Sequence, residues 1–270
     1  MKTKKLRIIR EIKRITRRPF YNYLNPFHEK QRHLIIHCCY HKVGTVWFHR
    51  VLSEVAYHFG MKYINGISYE QISKFETEKN ADIFLDQGSH VNIDLLDNYR
   101  GSHMIRDPRD MIISAYFYHK WTDETWANIP MAEYRGMSYK QYLNSLDKTE
   151  GLLVEIERSQ FWINHMANWD FHNPLFYEIK YENIRLNEEK VFFEMFSHYG
   201  FSEKAIKTAC SIAKKYTFER VRGSKNKKSH LRSGKIGEWS EHFEPIHKER
   251  FKELYPGVLK KLGYEKDDDW

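Results

Sequence analysis

The sequence predicts an α/β protein in which a central parallel sheet is flanked by helices. Short apolar runs bounded by turn residues alternate with stretches in which apolar residues recur at helical spacing. This alternation is typical of parallel sheets, because parallel strands are joined by crossover connections that are usually helices. The 270 residues can bury one full core, and no Pro/Gly/Ser-rich linker divides them. We therefore expect a basic helical extension over residues 1–30 and a single domain over residues 31–270.

The individual elements follow from local patterns. Strands are expected where short apolar runs end at turn residues, at 34–39, 83–85, 103–105 and 175–179. Helices are expected where apolar residues recur three or four positions apart, at 46–59, 108–119, 160–169, 188–199 and 202–214. Ser202 has the side chain of an N-cap and marks the start of the last of these helices.

The first strand is followed by HKVGTVW, residues 41–47, where a strand ends and a helix begins. The N-terminus of a helix offers backbone N–H groups and the positive end of a dipole to an anion. Gly44 lets the backbone approach a ligand closely, Lys42 adds a mobile positive charge, and Thr45 adds a hydroxyl. This combination indicates a phosphate or sulfate site; the alternative is a solvated loop lysine beside a turn glycine.

A second stretch, MIRDPRDMIISAYFYH, has the same construction. Arg106 ends a strand, Asp107 is a good N-cap, Pro108 suits the first helical position, and Ser114 lies two turns into the helix. The alternative is a well-capped helix whose arginine pairs with the cap aspartates. A third segment, residues 222–235, is a basic loop that is either solvated or anion-binding. Three such segments in one chain suggest one ligand with several anionic groups, such as a nucleotide with phosphates at two positions.

In these stretches the sequence resembles the sulfotransferases that use 3′-phosphoadenosine 5′-phosphosulfate (PAPS), especially the cytosolic type. HKVGTVW is similar to that family's 5′-phosphosulfate loop, P-K-S-G-T-T-W, and RDPRDMIISAYFYH to its 3′-phosphate segment, R-N-P-x-D-x-x-x-S-x-Y. LRSGKIGEW resembles its late R-K-G-x-x-G-D-W signature, and the resemblance runs in order from about His33 to Glu265. It implies a P-loop-like fold. It also implies transfer of the sulfuryl group from PAPS to a hydroxyl or amine of a small-molecule acceptor, by in-line displacement.

The resemblance also implies which residues bind the donor. They are Lys42, Val43, Gly44, Thr45, Val46 and Trp47 at the 5′-phosphosulfate, Arg106, Ser114, Arg232, Ser233 and Gly234 at the 3′-phosphate, and Trp47, Tyr181 and Phe218 around the nucleotide's adenosine. The chain departs from the family pattern at several positions. His41 replaces the usual Pro, Val43 the Ser and Val46 the second Thr, so the loop has two fewer hydroxyl donors, and Ser233 replaces a Lys.

Sulfuryl transfer needs in-line placement of the reacting oxygens and positive charge on the leaving phosphate, which Lys42 and the helix start would supply. The acceptor must also lose a proton, and histidine suits that work near neutral pH. Among the 15 histidines, the resemblance nominates His90, because FLDQGSHVNIDLL is similar to the family's T-H-L-P context. His103, His41 and His119 are the alternative bases. No His/Cys/Asp cluster has recognisable ligand spacing, so no metal is expected.

Two other classes of function agree with parts of the sequence. A metal-dependent P-loop small-molecule kinase also needs a phosphate loop, but here Lys42 precedes Gly44 instead of following a glycine in G-x-x-x-x-G-K-[ST]. A nucleic-acid binder would agree with the net charge of +8 and the 16% aromatic content. It is disfavoured because the basic residues are scattered and no helix-turn-helix, RRM or zinc-finger signature is present. We therefore expect no nucleic-acid partner.

The longest apolar runs are too short to cross a bilayer, and the N-terminus lacks the apolar core of a signal peptide, so we expect a cytoplasmic protein. Residues 1–18 have a basic amphipathic pattern that fits packing on the domain or weak contact with an anionic membrane surface. No pattern specifies the oligomeric state, the choice between O- and N-sulfation, or the acceptor class: aromatic, lipid, sugar or another natural product. Aromatic and apolar side chains between the two last motifs would line an acceptor pocket or fill a local core: Trp121, Trp126, Met131, Tyr134 and Tyr139.

Overall fold

A five-stranded parallel sheet organises the chain in this computed structural model, which describes residues 25–28, 33–66, 81–222 and 233–270. The strands are β1 Leu34–Cys39, β2 Tyr63–Gly66, β3 Ile83–Asp86, β4 Tyr99–Ile105 and β5 Phe176–Lys180. Their order across the sheet is β2-β3-β1-β4-β5, so β1 lies at the centre between β3 and β4. The predicted α/β fold with a central parallel sheet is confirmed.

The helices of the described residues follow β1, lie between β4 and β5, and continue beyond β5. They are α1 Thr45–Phe59, α2 Pro108–His119, α3 Tyr139–Ser145, α4 Lys148–Arg158, α5 Gln160–Ala167, α6 Tyr181–Leu186, α7 Glu188–His198, α8 Glu203–Lys215, α9 Phe218–Arg222, α10 Pro245–Leu254 and α11 Val258–Lys261. The backbone divides into two compact units, each assembled from separate segments. The first comprises residues up to 40, 44–105 and 171–221, and the second comprises 41–43, 106–170 and 222–270.

The first unit contains the whole sheet. Ile36 in β1 is fully buried and pairs with Phe84 of β3 on one side and Gly101 of β4 on the other. Helix α1 buries one face against the same core through side chains that include Trp47 and Phe48. Because ligands of open parallel sheets sit at the carboxyl ends of the strands, the residues that follow β1, β3 and β4 are those expected to carry function.

The second unit is helical, and α4 packs against both α2 and α10. His247 of α10 is fully buried, and its Nε2 lies 3.0 Å from the carbonyl oxygen of Thr149 in α4. The hydroxyl of Tyr255 donates a hydrogen bond to the carbonyl of Ile156 in the same helix. Backbone carbonyls of α4 thus hold the C-terminal helical segment by buried polar contacts.

Each of the four predicted strands and five predicted helices overlaps an observed element, and α2 agrees at both ends. The prediction missed β2, because YING is only four residues long and half-buried over most of its length. It also missed α3, α4, α6, α9, α10 and α11. A recognisable signal did exist for α3, where Ser138 and Gln141 form a capping box.

Among the described residues, no helix is long and apolar enough to cross a membrane. Residues 1–18, which carry the basic amphipathic pattern, lie outside the part of the chain that the structure describes. Arg232 also lies outside it. The predicted membrane-surface contact, cytoplasmic location and domain boundary near residue 30 stay predictions.

His37 in β1 gives the fold a specific sensitivity to acid. The ring is fully buried, stacks on Phe48 with 4.2 Å between centroids, and its Nδ1 lies 2.7 Å from the Ser102 hydroxyl. Burial lowers the pKa of His37 from 6.5 to about 3. A histidine with a lowered folded-state pKa binds its proton more weakly when folded, so its contribution to stability is present above pH 6.5 and is lost as pH falls below that value.

We expect the free energy of unfolding to fall by about 2 kcal/mol between pH 7 and pH 5 on account of this one group. Urea denaturation of the intact protein at both pH values measures it. His37→Asn should flatten the dependence, whereas the same substitution at exposed His28 should leave it unchanged. An equal pH dependence in all three proteins would contradict the assignment to His37.

Candidate active site

The loop between β1 and α1 has a backbone that few residues adopt. Lys42 has a φ of 64° and Gly44 a φ of 120°, both in the left-handed half of conformational space. The φ of Gly44 favours glycine, and a Cβ atom there would also crowd Cε of Met104, at 3.2 Å. A non-glycine residue such as Lys42 held in this region is an uncommon feature that concentrates at functional sites.

The side chains of this loop have different environments. Nζ of Lys42 lies 3.7 Å from the centroid of the Tyr118 ring, a cation–π contact that positions the ammonium group. The Thr45 hydroxyl donates to the carbonyl of Tyr40 at 3.1 Å, and Val43 is fully buried. Val46 is half-buried in the first turn of α1. The backbone N–H groups at the start of α1 follow directly, which is the local geometry of an anion site.

Arg106 joins the first two predicted anion segments to the third. It directly follows β4 and is 4% exposed. Its Nη1 donates to the carbonyl of Lys42 at 3.2 Å, and its Nη2 donates to the carbonyl of Lys235 at 3.4 Å. One guanidinium therefore bridges the loop before α1 and the loop that contains Lys235.

Asp110, in the first turn of α2, binds backbone N–H groups of the loop that contains Lys235. Its two carboxylate oxygens accept hydrogen bonds from the N–H groups of Gly237 at 2.8 Å and Trp239 at 2.9 Å. Burial raises the pKa of Asp110, against the opposing effects of Arg106 and these two N–H groups. Asp110 therefore anchors the segment that contains two predicted 3′-phosphate residues.

Those two residues, Ser233 and Gly234, are half-buried. The Ser233 hydroxyl donates to Oε2 of Glu238 at 2.7 Å, and Gly234 has a φ of 65°. Ser114 is a further residue predicted to bind the 3′-phosphate. It lies in the middle of α2 and is half-buried. In the second unit the structure thus connects Lys42 to Arg106 and Arg106 to the loop that contains Ser233 and Gly234.

His90 lies in the turn that follows β3, and a buried carboxylate shapes this turn. Asp86 accepts hydrogen bonds from the N–H groups of Gly88 at 3.0 Å and Val91 at 2.7 Å, and from the N–H of His90. Burial raises the pKa of Asp86, and these N–H groups oppose the rise. The His90 ring lies so close to Gly88 that a Cβ there would be 2.1 Å from Nδ1 of His90. The local backbone therefore fixes where this half-buried imidazole sits.

A polar chain behind the turn involves another histidine that the sequence left as an alternative base. His103 is fully buried, with Nδ1 2.6 Å from Oε2 of Glu178 and Nε2 3.1 Å from the Tyr40 hydroxyl. Tyr40 is in turn hydrogen-bonded to Ser89, the residue before His90. Burial lowers the pKa of His103 in spite of Glu178. These contacts place His103 in support of the turn.

The three aromatic residues predicted to contact the nucleotide form one cluster in the first unit. Phe218 packs edge-on against Trp47, with 5.8 Å between centroids, and against Tyr181 at 6.3 Å. All three are at most 2% exposed. The guanidinium of Arg185, which the sequence did not single out, lies 3.8 Å from the centroid of the Phe218 ring.

The family profile of the sulfotransferase domain matches residues 31–263, which is most of the chain. The chain belongs to the sulfotransferase domain family. Membership confirms the predicted enzyme class, a sulfotransferase with PAPS as the sulfuryl donor, and does not favour the kinase alternative. Among the described residues of this sulfotransferase, no group of three or more His, Cys, Asp or Glu side chains is arranged to hold a metal ion.

One solved sulfotransferase structure has the same fold. The mouse sulfotransferase SULT7A1, complexed with PAP (adenosine 3′,5′-bisphosphate), superposes with a TM-score of 0.58 at 18% identity. The match covers 89% of each chain. Two structures of retinol dehydratase match with TM-scores of 0.47, at 13% and 14% identity, over 90% of this chain and 86% of theirs. One of them contains androsterone and the inactive cofactor PAP, and the other retinol and PAP. No curated protein matches the chain in sequence.

Proposed function

We propose that this sulfotransferase passes the sulfuryl group of PAPS to a hydroxyl or amine of a small-molecule acceptor at the loop formed by residues 42–47. The observation that carries the proposal is the position of Lys42, held in a left-handed backbone directly before the N-terminus of α1. Charge that develops on the leaving phosphate is stabilised most by donors already in place. Lys42, its neighbour Gly44 and the first N–H groups of α1 are such donors.

Arg106 is the residue we assign to the 3′-phosphate, together with Ser114, Arg232, Ser233 and Gly234. Its two terminal nitrogens donate to backbone carbonyls, and the carboxylate of Asp110 is 3.9 Å from Nη2. A phosphate would accept charge-assisted hydrogen bonds from the same guanidinium. Such hydrogen bonds are stronger than the hydrogen bonds from the guanidinium to neutral carbonyls. The residues present therefore fit a nucleotide that has a phosphate at the 3′ position.

Trp47, Phe218 and Tyr181 are assigned to the nucleotide's adenosine. Their rings are packed edge-on against each other, and Arg185 covers one face of Phe218. Stacking of a purine on that face requires Arg185 to move aside. A cation–π contact of this kind is worth about 0.5–2 kcal/mol, which a stacked base can offset.

His90 is assigned as the base that takes the proton from the acceptor. The turn held by Asp86 keeps its imidazole in one place, and the chain Ser89–Tyr40–His103–Glu178 supports that turn. General bases work best when their position is fixed before the reaction. His103, buried with its ring nitrogens engaged by Glu178 and Tyr40, is assigned a positioning role.

The acceptor class is tested by a screen with PAPS labelled in the sulfuryl group. Phenols, steroid-like and other lipid alcohols, sugars and amines are offered separately, in the presence of a chelator. We expect labelled product from at least one class, with one adenosine 3′,5′-bisphosphate (PAP) formed per sulfate transferred. Formation of PAP with inorganic sulfate in every reaction would show that none of these classes is the acceptor.

Replacing Arg106 with alanine should weaken PAP binding roughly 10- to 100-fold, as expected for loss of hydrogen bonds to a charged group worth about 1.5–3 kcal/mol. Binding of adenosine 5′-phosphate, which lacks the 3′ group, should change much less. Isothermal titration calorimetry with both nucleotides measures the difference. Arg250→Ala is the control, since the side chain of that arginine is 37% exposed and pairs with Glu157 and Glu253. Equal weakening of both nucleotides by Arg106→Ala would remove Arg106 from the 3′-phosphate.

A further inference from the structure

Arg109, in the first turn of α2, lies at the centre of a cluster of side chains in the second unit. Its Nε and Nη2 donate to the two carboxylate oxygens of Asp107 at 3.0 and 2.7 Å, and its Nη1 pairs with Oε1 of Glu265 at 2.6 Å. Its guanidinium carbon lies 3.9 Å from the ring centroid of Trp239 and 4.6 Å from that of Trp270. Arg109 is 2% exposed, so two carboxylates and two indole rings hold a buried guanidinium in one position.

Trp270 connects this cluster to α10. Its ring packs edge-on against Phe251 of α10, with 5.6 Å between centroids, and Nζ of Lys252 lies 5.2 Å from the centroid of the same ring. The half-buried Trp270 ring also packs edge-on against Trp239, with 5.4 Å between centroids. Because α10 packs against α4, Trp270 supports Trp239 from an element that is itself anchored in the second unit.

Trp239 connects the cluster to the loop of residues 233–237. The Trp239 N–H donates to Asp110 at 2.9 Å, and the N–H of Gly237 donates to the same carboxylate at 2.8 Å. Gly234 and Gly237 have φ values of 65° and 73°, and a glycine loses more conformational freedom than any other residue when it is fixed. A loop with two such glycines needs contacts outside itself to stay in one conformation. The cluster provides one of those contacts, at the indole ring of Trp239.

We propose that Arg109 and Trp270 are positioning residues for the 3′-phosphate. They hold the indole of Trp239 and thereby keep residues 233–237 in the conformation that binds this phosphate. The proposal rests on the proposed function, which assigns two residues of this loop to the 3′-phosphate. A ligand that meets a loop already in place has to supply less of the free energy that orders it, so the cluster raises affinity through the loop alone.

The test compares Trp270→Ala with a matched control, Trp169→Ala. Trp169 is also a half-buried tryptophan of the second unit, and it has no assigned role. Isothermal titration calorimetry of the intact protein is run with PAP and with adenosine 5′-phosphate, which lacks the 3′ group. We expect Trp270→Ala to weaken PAP binding about 5- to 10-fold and adenosine 5′-phosphate binding by less than about 2-fold. Trp169→Ala should change neither affinity by more than about 2-fold.

Two conservative variants refine the test. In Trp270→Phe a phenyl ring keeps the edge-on and cation–π contacts, so this variant should recover most of the PAP affinity that Trp270→Ala loses. Arg109→Lys keeps the charge but lacks the planar group that pairs with two carboxylates and stacks on indoles, and it should resemble Trp270→Ala. If Arg109→Lys does not fold, the two Trp270 variants decide the proposal alone.

Two further measurements separate positioning of the loop from general stability. The KM for PAPS should rise in Trp270→Ala while kcat stays within about 2-fold of the wild type, as expected when an interaction common to the ground and transition states is lost. Without nucleotide, the backbone amides of Gly237 and Trp239 should exchange hydrogen faster in Trp270→Ala than in the wild type or in Trp169→Ala.

Three results would overturn the proposal. They are loss of PAP and adenosine 5′-phosphate affinity by the same factor in Trp270→Ala, unchanged affinity for both nucleotides, and unchanged exchange of the two amides. In each of these cases, a wild type that prefers PAP and transfers label from PAPS leaves the proposed function intact. A wild type that transfers no label and binds the two nucleotides equally would overturn both proposals.

Discussion

Lys42→Ala is expected to lower kcat by about 100- to 1000-fold while the protein stays folded. The reason is that a donor placed in advance against developing charge contributes to the transition state far more than to the bound ground state. Lys42 has the features of such a donor: a left-handed backbone with φ of 64°, and an ammonium group held 3.7 Å from the centroid of the Tyr118 ring. Steady-state kinetics with labelled PAPS measure the loss.

The matched control for Lys42→Ala is Lys140→Ala, which removes a lysine whose partner, Asp123, is 92% exposed. Surface pairs of this type contribute little, so its activity should stay near that of the wild type. Tyr118→Phe keeps the aromatic ring beside Lys42 and should cost much less than Lys42→Ala. Near-normal turnover of Lys42→Ala would reject the role of Lys42 in stabilising the leaving group.

His90→Ala is expected to lower kcat roughly 100-fold or more, with PAP binding retained. Only the transfer of the acceptor's proton is lost, because the turn is shaped by hydrogen bonds from backbone N–H groups to Asp86, which the substitution leaves in place. Kinetics and calorimetry on the same preparation separate the two effects. His58→Ala, at the C-terminal end of α1, is the control.

Two outcomes would contradict the role of His90. If His90→Ala keeps its activity, another histidine is the base, and His41 with its partner His119 is then the leading candidate. If His90→Ala loses PAP binding and turnover together, the residue belongs to the nucleotide site.

Local patterns were sufficient for most of the sheet and for the helices around the predicted motifs. β1 is a continuous apolar run because it is central and buried, and α2 has both an N-cap aspartate and a proline in its first turn. The strand β2 was missed because its four residues are only partly buried and have no apolar run. Helix α4 was missed because it faces α2 and α10, contacts that are far apart in sequence.

The sequence nominated residues for the site but not the contacts that connect them. Motif resemblance nominated Lys42 and Arg106, yet the hydrogen bond from Arg106 to the Lys42 carbonyl joins residues 64 positions apart. The hydrogen bonds from the N–H groups of Gly237 and Trp239 to Asp110 could not be predicted for the same reason, since these residues lie 127 and 129 positions from Asp110. The contacts of His119 with His41 and with Glu155 likewise depend on tertiary packing, because no local spacing relates the three residues.

The central claim is that the three anion-binding segments serve a nucleotide with phosphates at both the 3′ and 5′ positions. Calorimetric titration of the intact protein with PAP in the presence of a chelator, and with ATP in the presence of magnesium, tests it most directly. The account predicts that PAP binds at least about 100-fold more tightly than ATP with magnesium, and that Arg106→Ala removes most of this preference. Tighter binding of ATP with magnesium than of PAP would contradict it.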